Sequence, residues 1–590
     1  MLIKNKFKEL FGIDLRSLAL FRVCLALLLI IDLLQRIPNL KLFYSDDGII
    51  PRTTIINEYS NPFNISIHLS NGTVCFQFIL ILIALVFAFA LLVGYRTKLV
   101  TFICWFLTLS LHVRNPIVLI GGDELFRMMF FWSMFLPLGA HYSIDNALNS
   151  STNKTPQQII SFGTFALLAQ VLILYWVSIV FKAKAPEWLD GRAVYFALTQ
   201  DHYAHILTPY IINNFQLLKF ATHFTYWYEI LAPAILFTPI CTGPIRTITA
   251  ISFFFFQIGL GLCIDLSIFP WASTIAIIPY LPAWFWDKLE KLFKTEVVLD
   301  LKIYCNPSVG YCKKFLSIFL ELACIRKVQF LPLTETNQSN SINPLNNLWY
   351  LTDSQGITFT NITAIQELLK YSCLLKPLYL LTTNNKISPL MSEIYEYFSR
   401  QKHCLYRTSS SLRFRPIKTN STPLGNLLAL LFLVYVITWN FGTFDRKIYV
   451  PPGLQFIAHL LRLNQSWSLY SPLAKVGYWY AMPAKLNDGS EVDLFTYGKE
   501  SQWTKLVKSK TLYNNRHWQS ILLHVAWYDK AKYTYLPKIA WYLCKEWNED
   551  HMQDKQINHL DIYLISKLQY DNYKHAEPVK ILLWKYDVEK

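Results

Sequence analysis

Long apolar runs separated by short polar loops dominate the first half of the chain. Because the hydrocarbon core of a bilayer is about 30 Å thick, about 20 apolar residues can cross it as a helix. No small-residue cleavage site follows the first run, which predicts a retained helix rather than a signal peptide. We predict a transmembrane domain over residues 1–290 with spans at 17–34, 75–94, 99–119, 124–140, 160–182, 224–241, 247–264 and 267–286.

The pattern changes to short strands and amphipathic helices after residue 290. Apolar residues there form runs of strand length, and longer stretches carry them at helical spacing. We therefore expect an α/β insert over residues 297–405. Its predicted strands are 297–304, 328–331, 348–352 and 357–360, and its predicted helices are 310–322, 362–372 and 389–400.

A basic linker at 406–423 leads into one further apolar run, which predicts an additional transmembrane helix at 424–443. The remaining residues, 445–590, are rich in aromatic side chains and predict an α+β C-terminal domain outside the membrane. The fold class is thus an α-helical polytopic membrane domain of about eight spans plus one, with an α/β insert and this C-terminal domain. Within the C-terminal domain we expect an amphipathic helix at 454–463, a hairpin over 476–495 with Asn-Asp-Gly at its turn, and a helix at 517–527.

Composition supports a membrane protein and excludes two other classes. The 590 residues are 53% hydrophobic, 16% aromatic and 16% charged, which is too apolar for several soluble domains. The net charge of +16 lies largely at the edges of apolar runs, so we predict the lipid bilayer and not a nucleic acid as partner. Eleven scattered cysteines with no Cys-x-x-Cys pair predict neither a disulfide framework nor a metal site.

The positions of lysine and arginine in the short loops predict the orientation of the chain. Basic residues precede the first span, lie between the second and third, precede the seventh, follow the eighth and precede the ninth. Since cytoplasmic loops carry an excess of such residues, we expect a cytoplasmic N-terminus and an external C-terminal domain. The residues that carry this argument are Lys4, Lys6, Lys8, Arg96, Lys98, Arg246, Lys288, Lys291, Lys294, Arg413, Arg415 and Lys418.

That orientation brings five ionisable residues toward the outer leaflet, near the ends of five different spans. Ionisable groups at membrane depth are costly and usually face the protein interior or a wet cavity, so the set predicts a polar chamber that opens outward. Charges at helix ends are also ordinary, and Asp123 and Arg127 have the i,i+4 spacing of a pair on one helix. The five residues are Asp32, Asp123, Lys182, Glu229 and Asp265.

Lys182 ends an apolar run of membrane length, just before a Pro-Glu-Trp-Leu-Asp-Gly segment at 186–191. A lysine at such a junction can lay its stem along lipid and extend its ammonium to water as an anchor. It can equally be a partly desolvated amine that acts as a base. Position alone leaves both readings open.

Several motifs resemble the HTTM family of membrane proteins, which includes vitamin K-dependent gamma-carboxylase. The opening segments at 13–22 and 43–52, Gly-Asp-Glu-Leu-Phe-Arg at 122–127 and the run at 131–139 carry the resemblance. Lys182 before Trp-Leu-Asp-Gly at 188–191, Glu229 and the segment 261–271 also fit the family. The resemblance covers about residues 8–290 and implies a multi-pass protein of the bacterial inner membrane.

The resemblance implies carboxylase-like lyase and epoxidase chemistry at Lys182. In the carboxylase a lysine in the matching stretch deprotonates reduced vitamin K, which implies a reduced isoprenoid quinone as cofactor and a peptide or protein as substrate. Lys184 is the alternative position for this lysine, and Glu229 and Asp123 would tune it. Asp123 stands where the carboxylase has a functional histidine, and Gln257 where a histidine is common in the family.

The α/β insert resembles a thioredoxin-like domain of the DCC thiol–disulfide oxidoreductase type. That family has Asp-Gly-x-Cys-x-x-Cys between its first strand and helix, and this chain has Asn-Pro-Ser-Val-Gly-Tyr-Cys at 306–312. Val309 replaces the attacking cysteine, so Cys312 could form a mixed disulfide but could not resolve it locally. Cys305 could substitute only if the intervening loop bends back. We predict a degenerate redox domain or a docking domain.

Three functions follow from these observations. The first is a lysine-dependent, quinone-linked membrane enzyme that modifies a peptide or another substrate at the outer face. The second is a non-enzymatic factor for maturation or export of a secreted peptide, since HTTM proteins include such factors. The third is a thiol–disulfide oxidoreductase acting through the insert. The buried ionisable set favours the first, the missing histidine favours the second, and Val309 counts against the third.

Overall fold

The computed structural model shows a mostly helical protein with a few small sheets. It describes residues 2–59, 61–151, 155–293, 301–305, 310–325, 328–333, 349–372, 375–384, 387–504, 506, 511–570 and 574–588. The predicted strand segment 297–300 and the loop residues 306–309, including Val309, lie outside these ranges.

Helices make up most of the first 293 residues. Side chains cap several of them: Asp14, Thr73 and Ser161 each accept a backbone N–H in the first turn of a long helix. The α-helices are Leu2–Phe11, Leu15–Arg36, Leu40–Tyr44, Arg52–Glu58, Val74–Val93, Thr97–Arg114, Gly121–Ser133, Ile144–Ala147, Phe162–Lys182, Pro186–Leu189, Ala193–Leu198, Thr208–Ile211, Phe215–Ile235, Thr242–Cys263, Phe269–Ile277 and Ala283–Phe293. Short 3₁₀ helices lie at Ile37–Asn39, Ile67–Leu69, Pro116–Val118 and Ile278–Tyr280, and the strand Ile13–Asp14 pairs antiparallel with Gln158–Ile159.

Five helical segments in the described part of the chain are long and apolar enough to cross a membrane. The other four predicted spans are shorter, broken or more polar. Gly121–Ser133 has 13 residues, or about 20 Å at 1.5 Å per residue, which is less than the hydrocarbon thickness. The five segments are Leu15–Tyr44, Val74–Val93, Phe162–Lys182, Thr242–Cys263 and Pro423–Phe444.

Three sequence-based boundaries were wrong. The sixth predicted span, 224–241, is the helix Phe215–Ile235, because Asn214 caps it nine residues earlier than the apolar run suggests. The eighth is interrupted after Ile277 by a 3₁₀ turn that contains Pro279. The predicted linker at 406–423 begins inside the helix Lys402–Ser411.

The insert contains a four-stranded sheet flanked by helices. Its first strand pairs in parallel with the second and antiparallel with the third, and the third pairs antiparallel with the fourth. A helix at Lys376–Thr382 was not expected from the sequence. The elements are the strands Leu301–Cys305, Val328–Pro332, Trp349–Thr352 and Thr358–Thr360, and the helices Gly310–Leu322, Asn361–Lys370, Lys376–Thr382, Ser388–Arg400 and Lys402–Ser411.

The C-terminal region is a five-stranded antiparallel sheet with helices packed on it. Its hairpin turns at Gly489, whose φ of +84° is the left-handed conformation that glycine adopts without strain. The strands are Val476–Ala481, Pro483–Leu486, Glu491–Asp493, Ile557–Leu568 and Val579–Asp587. The α-helices after the insert are Pro423–Phe444, Gln455–Leu461, Arg516–Trp527 and Asp529–Asp550, with 3₁₀ turns at Pro452–Leu454, Leu494–Thr496, Leu512–Asn514 and Gln553–Lys555.

One apolar core continues from the long helices into the C-terminal region. Trp132, Trp467 and Trp479 are fully buried in it. Polar contacts cross the same boundary, since Gln170 Nε2 donates to Gln465 Oε1 at 2.9 Å and Trp132 Nε1 donates to Gln170 Oε1 at 3.0 Å. The C-terminal region is therefore part of the wall that encloses the interior of the helical region.

Candidate functional site

A large cavity of about 1060 Å³ lies between the long helices and the C-terminal region. Most of its wall is apolar or aromatic, with polar groups at a few places. Its aromatic wall includes Tyr175, Trp188, Phe224, Tyr228, Phe256 and Tyr470. A volume of this size accommodates a ligand at least as large as a typical cofactor.

One face of the helix Phe162–Lys182 supplies the polar groups on one side of the cavity. Tyr175, Ser178 and Lys182 follow at i, i+3 and i+7, so their side chains line one face of the helix. The helix ends at Lys182 because Pro186 lacks an N–H and keeps the preceding Ala185 in an extended conformation. Lys182 is therefore fixed at the helix end with its side chain in the cavity wall.

Lys182 forms a buried ion pair with Glu229 of the helix Phe215–Ile235. Nζ of Lys182 donates to Oε2 of Glu229, and the two residues are only 3% and 8% exposed. The same Nζ lies 4.5 Å from the ring centroid of Trp188, where the face of the indole attracts a cation. Lys184, the alternative lysine, is exposed and does not line the cavity.

Several polar atoms in the cavity wall have no hydrogen-bond partner within the described protein. They include Oγ of Ser178, Oε1 of Gln257 and the hydroxyl of Tyr470. The amide of Gln257 is held in place, because its Nε2 donates to the Tyr175 hydroxyl at 2.8 Å. Buried polar groups usually have a partner, so these atoms are suited to a bound molecule or to water inside the cavity.

Asp123 and, from the C-terminal region, Arg516 also line the cavity. Asp123 has fixed partners. Its Oδ1 accepts from Arg36 Nη2 at 3.0 Å, and its Oδ2 accepts from the backbone N–H of Ile120 at 2.9 Å. The suggested pairing of Asp123 with Arg127 was wrong, because Arg127 donates instead to the backbone carbonyl of Arg462 at 2.9 Å.

Asp32 is not among the residues of the cavity wall. Its carboxylate accepts from Arg36 Nε at 2.8 Å and also from Arg516, which reaches it from the C-terminal region. Of the five ionisable residues singled out in the sequence, the other four line the cavity: Asp123, Lys182, Glu229 and Asp265.

Sequence reasoning missed several residues of this site. Tyr175 and Ser178 could have been found from their helical spacing to Lys182. Trp188 lies six residues after Lys182, but its ring position depends on the turn at Pro186. Arg516 and Tyr470 come from a region that is distant in sequence, and no local pattern associates them with Lys182.

Cys305 and Cys312, the two candidate redox residues, lie together in the core of the insert. Their sulfur atoms are hydrogen bonded, although Cys305 ends a strand and Cys312 is in the first turn of the following helix. The hydrogen bond from Cys312 lowers the pKa of the Cys305 thiol, whereas the same bond and burial raise the pKa of Cys312. The loop between them, residues 306–309, lies outside the described residues, so the substitution of Cys305 for the missing cysteine stays a prediction.

Comparison of the chain with protein-family models, with curated proteins and with solved structures gave no match. The resemblances to HTTM and DCC proteins therefore stay predictions. Among the described residues, no three His, Cys, Asp or Glu side chains are grouped so that they could hold a metal ion.

Proposed function

We propose that this protein is a membrane enzyme of the HTTM type in which Lys182, paired with Glu229, transfers protons inside the main cavity. The observation that carries the proposal is the buried Lys182–Glu229 pair in the wall of a large, mostly apolar cavity. Ionisable groups in such surroundings are costly to bury and cluster at sites of chemistry. The proposed setting is a bacterial inner membrane, with the N-terminus in the cytoplasm and the C-terminal domain outside.

The cavity fits a cofactor with an apolar chain and a polar ring, such as a reduced isoprenoid quinone. Phe224, Phe256 and their neighbours would cover the chain, while the free polar atoms of Ser178, Gln257 and Tyr470 would bind ring oxygens. When bound, such a group would supply an acidic hydroxyl and two-electron redox chemistry.

The proposed chemistry of the chain itself begins with the proton between Lys182 and Glu229. Transfer from Nζ to Oε2 along their hydrogen bond leaves a neutral amine, which can accept a proton from a hydroxyl bound in the cavity. The Trp188 ring stabilises the ammonium that re-forms. Glu229 thus holds the proton that Lys182 must release before it can act as a base.

The proposed substrate is a peptide or protein that reaches the cavity at the end formed by Asp123 and the C-terminal region. Asp123 is held by Arg36 and by the N–H of Ile120, so its carboxylate has a fixed position in the wall. Because Asp123 stands where the carboxylase has a histidine, we propose lysine-dependent proton transfer and do not specify glutamate carboxylation.

Mass spectrometry of the lipids that co-purify with the detergent-solubilised protein tests this proposal. We expect a stoichiometric isoprenoid quinone with the wild type and a loss of at least about ten-fold with Lys182→Met and with Glu229→Gln. Lys184→Met is the matched control, because it removes a nearby exposed lysine and should retain the quinone. Ordinary phospholipid alone in every sample would contradict the proposal and favour the non-enzymatic, peptide-handling function.

A second candidate function, thiol–disulfide exchange, is favoured by the hydrogen bond between Cys305 and Cys312. Two thiols would lose two electrons and two protons to form a disulfide, and oxidised glutathione would gain them to give two glutathione thiols. After incubation of the protein with oxidised glutathione, we expect peptide mass spectrometry to find a Cys305–Cys312 disulfide. The control variant Cys324→Ser should form the same disulfide. Separate glutathione adducts or unmodified thiols at both positions would count against it.

A further inference from the structure

A second pocket, distant in sequence from the catalytic candidates, is lined by five basic side chains. It has a volume of about 420 Å³ and lies where the helices Thr97–Arg114 and Pro423–Phe444 begin. Its basic side chains come from two segments, 95–99 at the start of the first helix and 411–418 before the second, and residues from 137–148 complete the lining. The basic residues are Arg96, Lys98, Arg413, Arg415 and Lys418.

The one acidic residue in the lining of this pocket does not neutralise them. Asp145 accepts from the backbone N–H groups of Arg96 and Thr97, each at 2.8 Å, and from the Thr97 hydroxyl at 2.8 Å. Its carboxylate therefore caps the start of a helix. Within the described part of the chain, none of the five basic side chains forms an ion pair with an acidic residue.

The stretch 145–150 joins the two basic segments, because Asp145 binds the first at Arg96 and Thr97 while residues 148–150 bind the second. The N–H of Arg415 donates to Leu148 O at 3.0 Å, and the carbonyl of Arg415 accepts from Ser150 N at 3.1 Å. Ile417 N donates to Asn149 Oδ1 at 3.1 Å. Basic residues that only set the orientation of a membrane helix need to precede it, but they need not be held together around one pocket.

Apolar surface begins directly beside these charges. Leu99 and Phe102 are 53% and 49% exposed on one helix, and Leu424 and Leu427 are 65% and 52% exposed on the other. A ligand that satisfies both surfaces has an anionic head group and hydrocarbon chains. We propose that this pocket binds the head group of an anionic phospholipid, whose chains lie along the two helices.

Native mass spectrometry of the full-length protein tests the site. The delipidated protein is equilibrated in a neutral detergent with equal amounts of dioleoyl phosphatidylglycerol and dioleoyl phosphatidylcholine. We expect the wild type to retain the anionic lipid with about ten-fold preference, and Arg413→Gln/Arg415→Gln/Lys418→Gln to lose that preference. Arg96→Gln/Lys98→Gln alters the other basic segment of the pocket and should also weaken the preference for the anionic lipid.

The matched control is Lys485→Gln/Lys545→Gln/Lys585→Gln, which removes the same charge from exposed positions in the C-terminal region. It should retain the wild-type preference. An equal loss in this control would show that net charge alone attracts the lipid and would overturn the proposal. Equal binding of both lipids by the wild type, or displacement of the anionic lipid by inorganic phosphate at equal concentration, would also overturn it.

Discussion

The contribution of Lys182 to stability can be separated from its contribution to function through its ion pair with Glu229. Replacement of one partner of a buried ion pair leaves the other charge without compensation and typically costs about 3–5 kcal/mol, whereas replacement of both can be nearly neutral. We expect Lys182→Met to lower the melting temperature, and Lys182→Met/Glu229→Leu to recover most of the loss. Thermal unfolding in detergent measures both effects.

If the pair acts on a bound quinone, Lys182→Met/Glu229→Leu should recover the melting temperature but still lack the co-purifying quinone. Recovery of both the melting temperature and the quinone would contradict the role of Lys182 as the base. The Lys184→Met control should change neither quantity, because that side chain is exposed and outside the cavity.

His517 should make the stability of the protein sensitive to pH. Burial, together with Arg36 and Arg516, holds the pKa of His517 well below its ordinary value, so the imidazole is neutral when folded. The unfolded residue takes up a proton below about pH 6.5, so stability is full above that pH and falls as the pH drops through it. From pH 7.5 to 5.5 this one group should remove about 1.4 kcal/mol of stability.

Thermal unfolding of the wild type and His517→Gln at pH 7.5 and 5.5 measures this contribution. The variant should lose less stability than the wild type on acidification, because glutamine does not titrate. The Nε2 of the new glutamine should still lie near the Tyr44 hydroxyl, because that hydroxyl is 3.4 Å from Nε2 of His517 in the wild type. An identical loss of stability in both proteins would contradict the argument.

At the scale of elements, the close approach of two helices depends on Gly122. A Cβ at this position would lie 2.7 Å from the backbone nitrogen of Phe269, which begins the helix Phe269–Ile277. We expect Gly122→Ala to separate these helices and to cost about 1–3 kcal/mol in thermal unfolding. Gly259→Ala is the control, since a Cβ there meets no atom within 4 Å and alanine favours the helix. Equal melting temperatures for the two variants would refute the close-packing argument.

The existence of the helices could be predicted better than their boundaries. The helix Gly310–Leu322 follows its amphipathic pattern closely, because that pattern is local. The start of Phe215–Ile235 was missed because Lys219 and His223 interrupt its apolar run. Asp529–Asp550 was missed because it mixes polar and aromatic residues and contains Pro537, so contacts with the sheet are needed to stabilise it.

At the scale of the whole molecule, the sequence could predict which ionisable residues matter but not how they are connected. Lys182, Glu229 and Asp123 were notable because each charge lies near the end of an apolar run or within one. Their common cavity depends on how the helices pack, and its far side is built by Ser466, Tyr470 and Arg516. Such contacts between distant segments leave no periodic signal in a single sequence.

Arg516 connects the C-terminal region to the long helices through Asp32, and this connection should hold the cavity closed at that end. Because Asp32 is buried, we expect Asp32→Asn to destabilise the protein by about 3 kcal/mol. Arg516→Gln should cost less, because Arg36 still pairs with Asp32. The double variant should lose at least about 0.5 kcal/mol less than the two single losses combined, since both remove the same contact. Hydrogen exchange of residues 466–474 should rise in Arg516→Gln but not in Arg52→Gln, whose partner Asp46 lies nearer the surface. Strictly additive losses would mean that the two charges act independently and that other contacts hold the C-terminal region over the cavity.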